Sequence, residues 1–158
     1  MTYCVAISIK SGIVFASDSR TNAGPDQVAT YGKMYTFGHE GERQIALLAA
    51  GNLATTQAVI TQLNRDVADQ AEINVITAPT MADVAEYLGR VTYAEEQRHN
   101  TEISRAGFTA EASFILGGQI GSTPPQLFLI YPQGNFISSS EQTPFLQIGE
   151  TKYGKTIL

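Results

Sequence analysis

The chain has 158 residues, 43% of them apolar and 16% charged, and ten Lys and Arg against fifteen Asp and Glu leave a net charge of −5. That length suits one domain, residues 1–158, with a core that needs no staples. The acidic balance carries no electrostatic footprint for nucleic acid, no apolar stretch approaches the roughly 18 residues of a membrane helix, and the N-terminus lacks a basic region followed by a cleavage site. One cysteine, Cys4, excludes an internal disulfide framework and fits a reducing, cytoplasmic compartment.

Residues 2–9 alternate or run apolar and predict a strand, Lys10-Ser11-Gly12 its turn, and 13–17 the returning strand. A polar loop over 18–32 follows, punctuated by Asn22, Gly24 and Pro25. Residues 34–37 and 44–50 predict two more strands around a turn at 38–41. Gly51-Asn52 then breaks the pattern and the period changes to helical. Val59, Ile60, Leu63 and Val67 predict a helix over 54–69, and Met81, Val84, Ala85, Leu88 and Val91 predict a second over 81–98. Thr80 with Asp83 three residues on reads as its capping box. A loop is expected over 99–107, a hairpin pair at 112–117 and 126–131, and strands at 136–138 and 144–148. Strands grouped with strands, and two helices between the groups, argue for an α+β fold of antiparallel sheets with helices segregated to one face.

Residues 149–156 satisfy the phosphate-loop string G-x-x-x-x-G-K-[ST] with Lys155 and Thr156 in the key places. That chemistry also needs a following helix and downstream strands with a metal-binding acid, and the upstream strands do not alternate with helices. The string is read as a turn entering a helix, and no nucleotide, cofactor or metal is expected. His39, His99 and Cys4 are too scattered for a zinc site. Cys4 is read as a core residue, Tyr3, Tyr31 and Tyr35 as packing aromatics, and Glu95, Glu96, Arg98 and His99 as a solvated helix face.

The N-terminus carries the stronger signal. Thr2 is small, so removal of Met1 would leave it as a free N-terminus. A hydroxyl is a weak nucleophile unless a base sits beside it. An N-terminal threonine carries that base itself, in an α-amine whose pKa of about 7.7–8.0 leaves a neutral fraction near pH 7. Asp18 ends the second strand and can return to the level of Thr2. Lys33 could favour the ionised hydroxyl, with Asp18 holding it in place. Gly51 follows a buried strand where a backbone N–H can meet an oxyanion. Each residue also has a plainer reading, as a loop-favouring Asp, a solvated lysine or a chance second residue.

Together these residues carry a resemblance. Thr2, the run from Gly12 through Asp18-Ser19-Arg20-Thr21, Lys33, and Ala50-Gly51-Asn52-Leu53-Ala54-Thr55-Thr56-Gln57-Ala58 resemble β-type proteasome subunits, and with 147–154 they look most like the Anbu branch of bacterial proteasome homologues. The resemblance implies the N-terminal nucleophile hydrolase fold, a four-layer αββα sandwich, with family elements expected beyond the end of this chain. It implies Thr2 as nucleophile, Asp18 and Lys33 as its supporting pair and Gly51 as oxyanion donor. It places Arg20 and Thr21 beside an extended substrate, and it implies ring-like or helical homo-oligomers. Where the family has Gly-Ser-Gly, whose serine orients the N-terminal amine, this chain has Gly149-Glu150-Thr151. The expected activity is hydrolysis or exchange of peptide-like amides through an acyl-Thr2 intermediate. A non-catalytic self-assembling subunit of the same fold is the alternative.

Overall fold

The structure is a computed structural model that describes residues 2–22 and 28–151. The expected loop punctuation at Gly24 and Pro25 and the residues from 152 onward lie outside the described residues. Strands β1 (Tyr3–Ile9) and β2 (Gly12–Ser17) form the predicted hairpin, with Cys4 opposite Ser17 and Ile9 opposite Gly12. Two short strands, β3 (Arg20–Asn22) and β4 (Val28–Thr30), pair within what the sequence reads as a polar loop. Thr21, Val28 and Thr30 are β-branched and suit a short ladder. Then come β5 (Met34–His39), β6 (Arg43–Gly51), helices α1 (Leu53–Ala68) and α2 (Met81–Arg105), and strands β7 (Ala112–Ile120), β8 (Gln126–Ile130), β9 (Phe136–Ser138) and β10 (Phe145–Gly149).

The strands build two main antiparallel sheets, ordered β10-β1-β2 and β5-β6-β7-β8-β9. The five-stranded sheet is buried on both faces, which is why β6 reads as an unbroken apolar run rather than an alternation. Ile45, Leu47 and Ala49 point to α1 and α2, where they join Val59, Leu63, Leu88, Phe114 and Leu116. Leu48, Ala50 and Ile115 point the other way and meet Cys4, Ala6, Leu146 and Ile148 of the three-stranded sheet. Each fully buried Leu, Ile or Phe contributes about 1.5–3 kcal/mol of apolar burial. Among the described residues the layers are helices, sheet, sheet, an α+β sandwich in which α1 and α2 pack on one face as predicted.

Helix α1 starts one residue before the predicted Ala54, and α2 starts at the predicted Met81. The Asn52 side chain accepts from the Thr55 N–H, and Thr80 and Asp83 form the reciprocal capping box. Helix α2, however, runs seven residues past the predicted end at 98, because its polar last turns contain no breaker. It stops at Gly107 (φ +80°), where Gly107 N–H bonds Ser104 C=O and Phe108 N–H bonds Ile103 C=O. This closing pair needs a left-handed residue, and glycine supplies it without a Cβ clash.

Candidate active site

Thr2 lies at the head of β1, half-buried, and the next residue fixes its surroundings. Tyr3 and Asp18 clasp each other: Asp18 N–H donates to the Tyr3 carbonyl at 3.2 Å, and Tyr3 N–H donates to Asp18 Oδ1 at 2.9 Å. The hairpin register causes this, since β2 returns to the level at which β1 began. Lys33, just before β5, reaches across from the other sheet and donates to both Asp18 oxygens, at 2.8 and 2.7 Å. The lysine is 7% exposed and the aspartate 36%. Partial burial works to raise the Asp18 pKa, but the Lys33 hydrogen bonds, the Tyr3 N–H and the lysine charge outweigh it and hold the carboxyl below its usual range.

Thr2, Lys33 and Gly51 line one small cavity of about 30 Å³, floored by Ala49 of β6 and walled by Leu53 and Thr56 of α1. The backbone directions at its edge follow from alternation along β6. Ala49 N–H turns toward β5 and bonds the Lys33 carbonyl at 2.9 Å, while Asn52 N–H turns toward β7 and bonds the Glu111 carbonyl at 2.8 Å. Gly51 N–H, between them, therefore faces the β5 side, at a level that β5 does not reach. The first turn of α1 follows at once and adds the positive end of a 16-residue helix. Gly51 itself is at φ +115°, and a Cβ there would lie 3.0 Å from Ala112 Cα and press on the Glu111 carbonyl.

The end of β10 closes the other side of Thr2. Gly149 stands opposite Tyr3 and packs so tightly on the Thr2 backbone that a Cβ would collide with the Thr2 carbonyl, and Glu150 N–H donates to that carbonyl at 2.6 Å. Glu150, half-buried, is therefore seated beside the threonine. Arg20 and Thr21 lie on β3, two and three residues beyond Asp18, with their backbones opposite Thr30 and Ala29.

Of the residues that the sequence singles out, Thr2, Asp18, Lys33 and Gly51 come together; Arg20 and Thr21 are placed on the adjoining ladder. Tyr35, read from sequence as packing, lines the same cavity with Gly32, whose carbonyl accepts its hydroxyl at 3.0 Å. The signal was available, because Tyr35 sits two residues after Lys33 and shares its side of the strand. Leu53 and Thr56 were missed because helical periodicity reports only which face packs. Cys4 is fully buried behind the site, and burial, opposed by the Lys33 charge, pushes its thiol up to about 12, too high for a nucleophile. Glu95 and Glu96 are not a solvated face, being 5% and 8% exposed at the turn of α2 that packs inward. Glu95 pairs with Arg98 at 3.0 Å, whereas Glu96 Oε2 has no hydrogen-bond partner, and burial with the Glu111 charge raises its pKa. Among the described residues, no three His, Cys, Asp or Glu side chains gather as a metal would require, and no helix is long and apolar enough to cross a membrane. Lys155 and Thr156 of the phosphate-loop string lie outside the described residues.

No family model and no curated protein matches the chain. Solved structures do. The chain superposes on Anbu (ancestral beta-subunit) from Yersinia bercovieri at 43% identity and TM-score 0.89, covering 98% of this chain and 64% of that one. The Anbu complex from Pseudomonas aeruginosa, solved as a helical assembly, is 45% identical with TM-score 0.91, covering 99% and 64%. An Anbu (Gly-1) mutant from Hyphomicrobium sp. strain MC1 is 44% identical with TM-score 0.88, covering 100% and 64%. The chain thus spans less than two-thirds, 64%, of the length of these structures.

Proposed function

This chain is an Anbu-type homologue of proteasome β-subunits, and from that premise we propose that it serves an N-terminal threonine hydrolase acting on peptide or peptide-like amides. One observation carries the proposal: Thr2, Lys33 and Gly51 line a single cavity, and Asp18 is hydrogen-bonded both to the lysine and to the residue after the threonine. In this reading Met1 is removed and the freed Thr2 amine takes the proton from Oγ as Oγ attacks the amide carbonyl. Lys33, held by Asp18, stabilises the developing alkoxide. Gly51 N–H and the start of α1 receive the oxyanion. Collapse expels the amine half, which leaves with the proton now on the α-ammonium, and the acyl group remains as an ester on Thr2 Oγ. Water, deprotonated by the amine, releases the acid; an amine in its place would give transfer.

An extended substrate would lie against β3, beside Arg20 and Thr21, and add a strand by backbone pairing. The P. aeruginosa homologue forms a helical assembly, and self-association of this chain is part of the proposal, as is a reducing cytoplasmic setting for its single buried thiol. A second reading, an assembly subunit without catalysis, draws support from Gly149-Glu150-Thr151, where Glu150 stands in place of a serine that would orient the Thr2 amine. Intact mass before and after incubation with a peptide epoxyketone tests the choice, because the ring adduct needs both the Thr2 hydroxyl and its free amine. Loss of Met1 and a stoichiometric adduct, absent in Thr2→Ala, is expected. Retention of Met1 on the natural protein would move the assignment to the assembly subunit.

A further inference from the structure

Resting on that reading, we propose that Met1 is removed by a methionine-specific aminopeptidase while the chain is still growing, and that folding around Thr2 then closes this step. The reaction is a plain hydrolysis. Water adds across the Met1–Thr2 amide, methionine leaves with the new carboxylate, and Thr2 keeps the amine that serves as its base.

Peptidases take up their substrate as an extended strand and pair with its backbone beside the bond they cut, so the groups next to that bond must be free. In the folded chain they are taken. The Thr2 carbonyl, the first acceptor past the bond, receives the Glu150 N–H at 2.6 Å. Tyr3 N–H donates to Asp18 Oδ1 at 2.9 Å, and the Tyr3 carbonyl accepts the Asp18 N–H at 3.2 Å. Strand β1 is then paired on both sides, with β10 from Tyr3 and with β2 from Cys4. Thr2 itself is half-buried, and Gly149 lies too close to its carbonyl to leave slack. Cleavage of such a segment passes through a locally opened state. Each of the three hydrogen bonds at Thr2 and Tyr3 reduces that state about fivefold, and together about a hundredfold.

The parts of this lock are made at different times. Asp18 follows Thr2 closely, whereas Glu150 comes nearly the whole chain later. At about 5–20 residues per second, the stretch between Thr2 and Glu150 takes about 7–30 s to synthesise. Until it is complete, β1 has no β10 to pair with and the Thr2 carbonyl has no Glu150 N–H to accept. The strand order β10-β1-β2, which sets the start of the chain beside a strand made much later, therefore creates the interval in which the aminopeptidase acts.

Synthesis of the full chain in a reconstituted translation mixture that lacks the enzyme tests this, with purified methionine aminopeptidase added either during synthesis or after it has been stopped. Intact mass reads the loss of Met1. Removal is expected to be complete in the first case and about a hundredfold slower in the second. Gly149→Ala, whose Cβ collides with the Thr2 carbonyl, should speed removal after synthesis about tenfold. If circular dichroism shows that variant unfolded, the wild-type comparison decides alone. Equal rates for the two additions, or a folded Gly149→Ala that is no faster, would overturn the lock. Loss of Met1 with no aminopeptidase present would overturn the need for one, since Thr2 would then be cutting its own N-terminal bond. Chains freed of Met1 during synthesis but unlabelled by the epoxyketone would overturn the hydrolase reading and leave the order of events standing.

Discussion

Replacing Asp18 by asparagine removes one negative charge and almost no volume, so its effect isolates the ion pair. Lys33 Nζ loses its carboxylate partner at 2.7 and 2.8 Å, while the amide oxygen can still accept from Tyr3 N–H. Hydrogen bonds to charged groups contribute about 1.5–3 kcal/mol. Because Asp18 is 36% exposed, solvent screening reduces this to about 1–2 kcal/mol. For a chain of this size each kcal/mol moves Tm by about 2–4 °C, so thermal unfolding followed by circular dichroism should show a fall of about 2–8 °C. The pH dependence has a definite sign. The folded Asp18 carboxyl lies below its ordinary value, so the pair's contribution is complete above about pH 4 and disappears as pH falls through the lower folded value. The Tm difference between wild type and Asp18→Asn should therefore be constant from pH 6 to 8 and shrink below about pH 4. Epoxyketone labelling of Thr2 should slow about a hundredfold, the scale on which a single positioned electrostatic group acts. A variant that labels at the wild-type rate would refute the role given to Lys33 and Asp18. A Tm difference that persists unchanged to pH 3 would refute the electrostatic account of the clasp.

Two further substitutions probe other parts of the structure. Gly51→Ala forces a Cβ onto the Glu111 carbonyl at φ +115°; it should cost about 1–3 kcal/mol in urea unfolding and abolish labelling, and wild-type stability would show that the strand end tolerates a side chain. Glu96→Gln removes a buried acid whose folded pKa is raised, so the wild type loses stability as pH rises from about 4 toward neutrality. The variant should gain about 1 kcal/mol at pH 7.5 and nothing at pH 4, and an equal gain at both would mean that packing, not charge, governs the position.

The N-terminal half was legible because its signals are local. The Lys10-Ser11-Gly12 turn fixes the β1–β2 register, and that register brings Asp18 back to Tyr3. The Thr80–Asp83 box starts α2 where its side chains can satisfy free N–H groups. The last turns of α2 were not legible, because 99–105 holds a single apolar residue, Ile103, and one residue makes no helical stripe. The burial of Glu95 and Glu96 was hidden because carboxylates are rarely buried and so mark a helix face as solvated.

The sequence by itself determined the chemistry that one residue can carry, namely a threonine able to bear its own base, and the alternation of strands and helices that makes an α+β sandwich. The hairpin register returns Asp18 to Tyr3, and only the tertiary structure decided what else stands beside that threonine. Lys33 and Asp18 start in different sheets, Gly51 ends a strand of the second sheet, and Glu150 arrives from β10 at the far end of the chain. None of these distances is encoded by spacing along the chain. They follow from stacking two sheets on a shared core of Cys4, Ala6, Leu48, Ala50, Ile115 and Ile148, since packing two apolar faces brings their strand ends together at one edge.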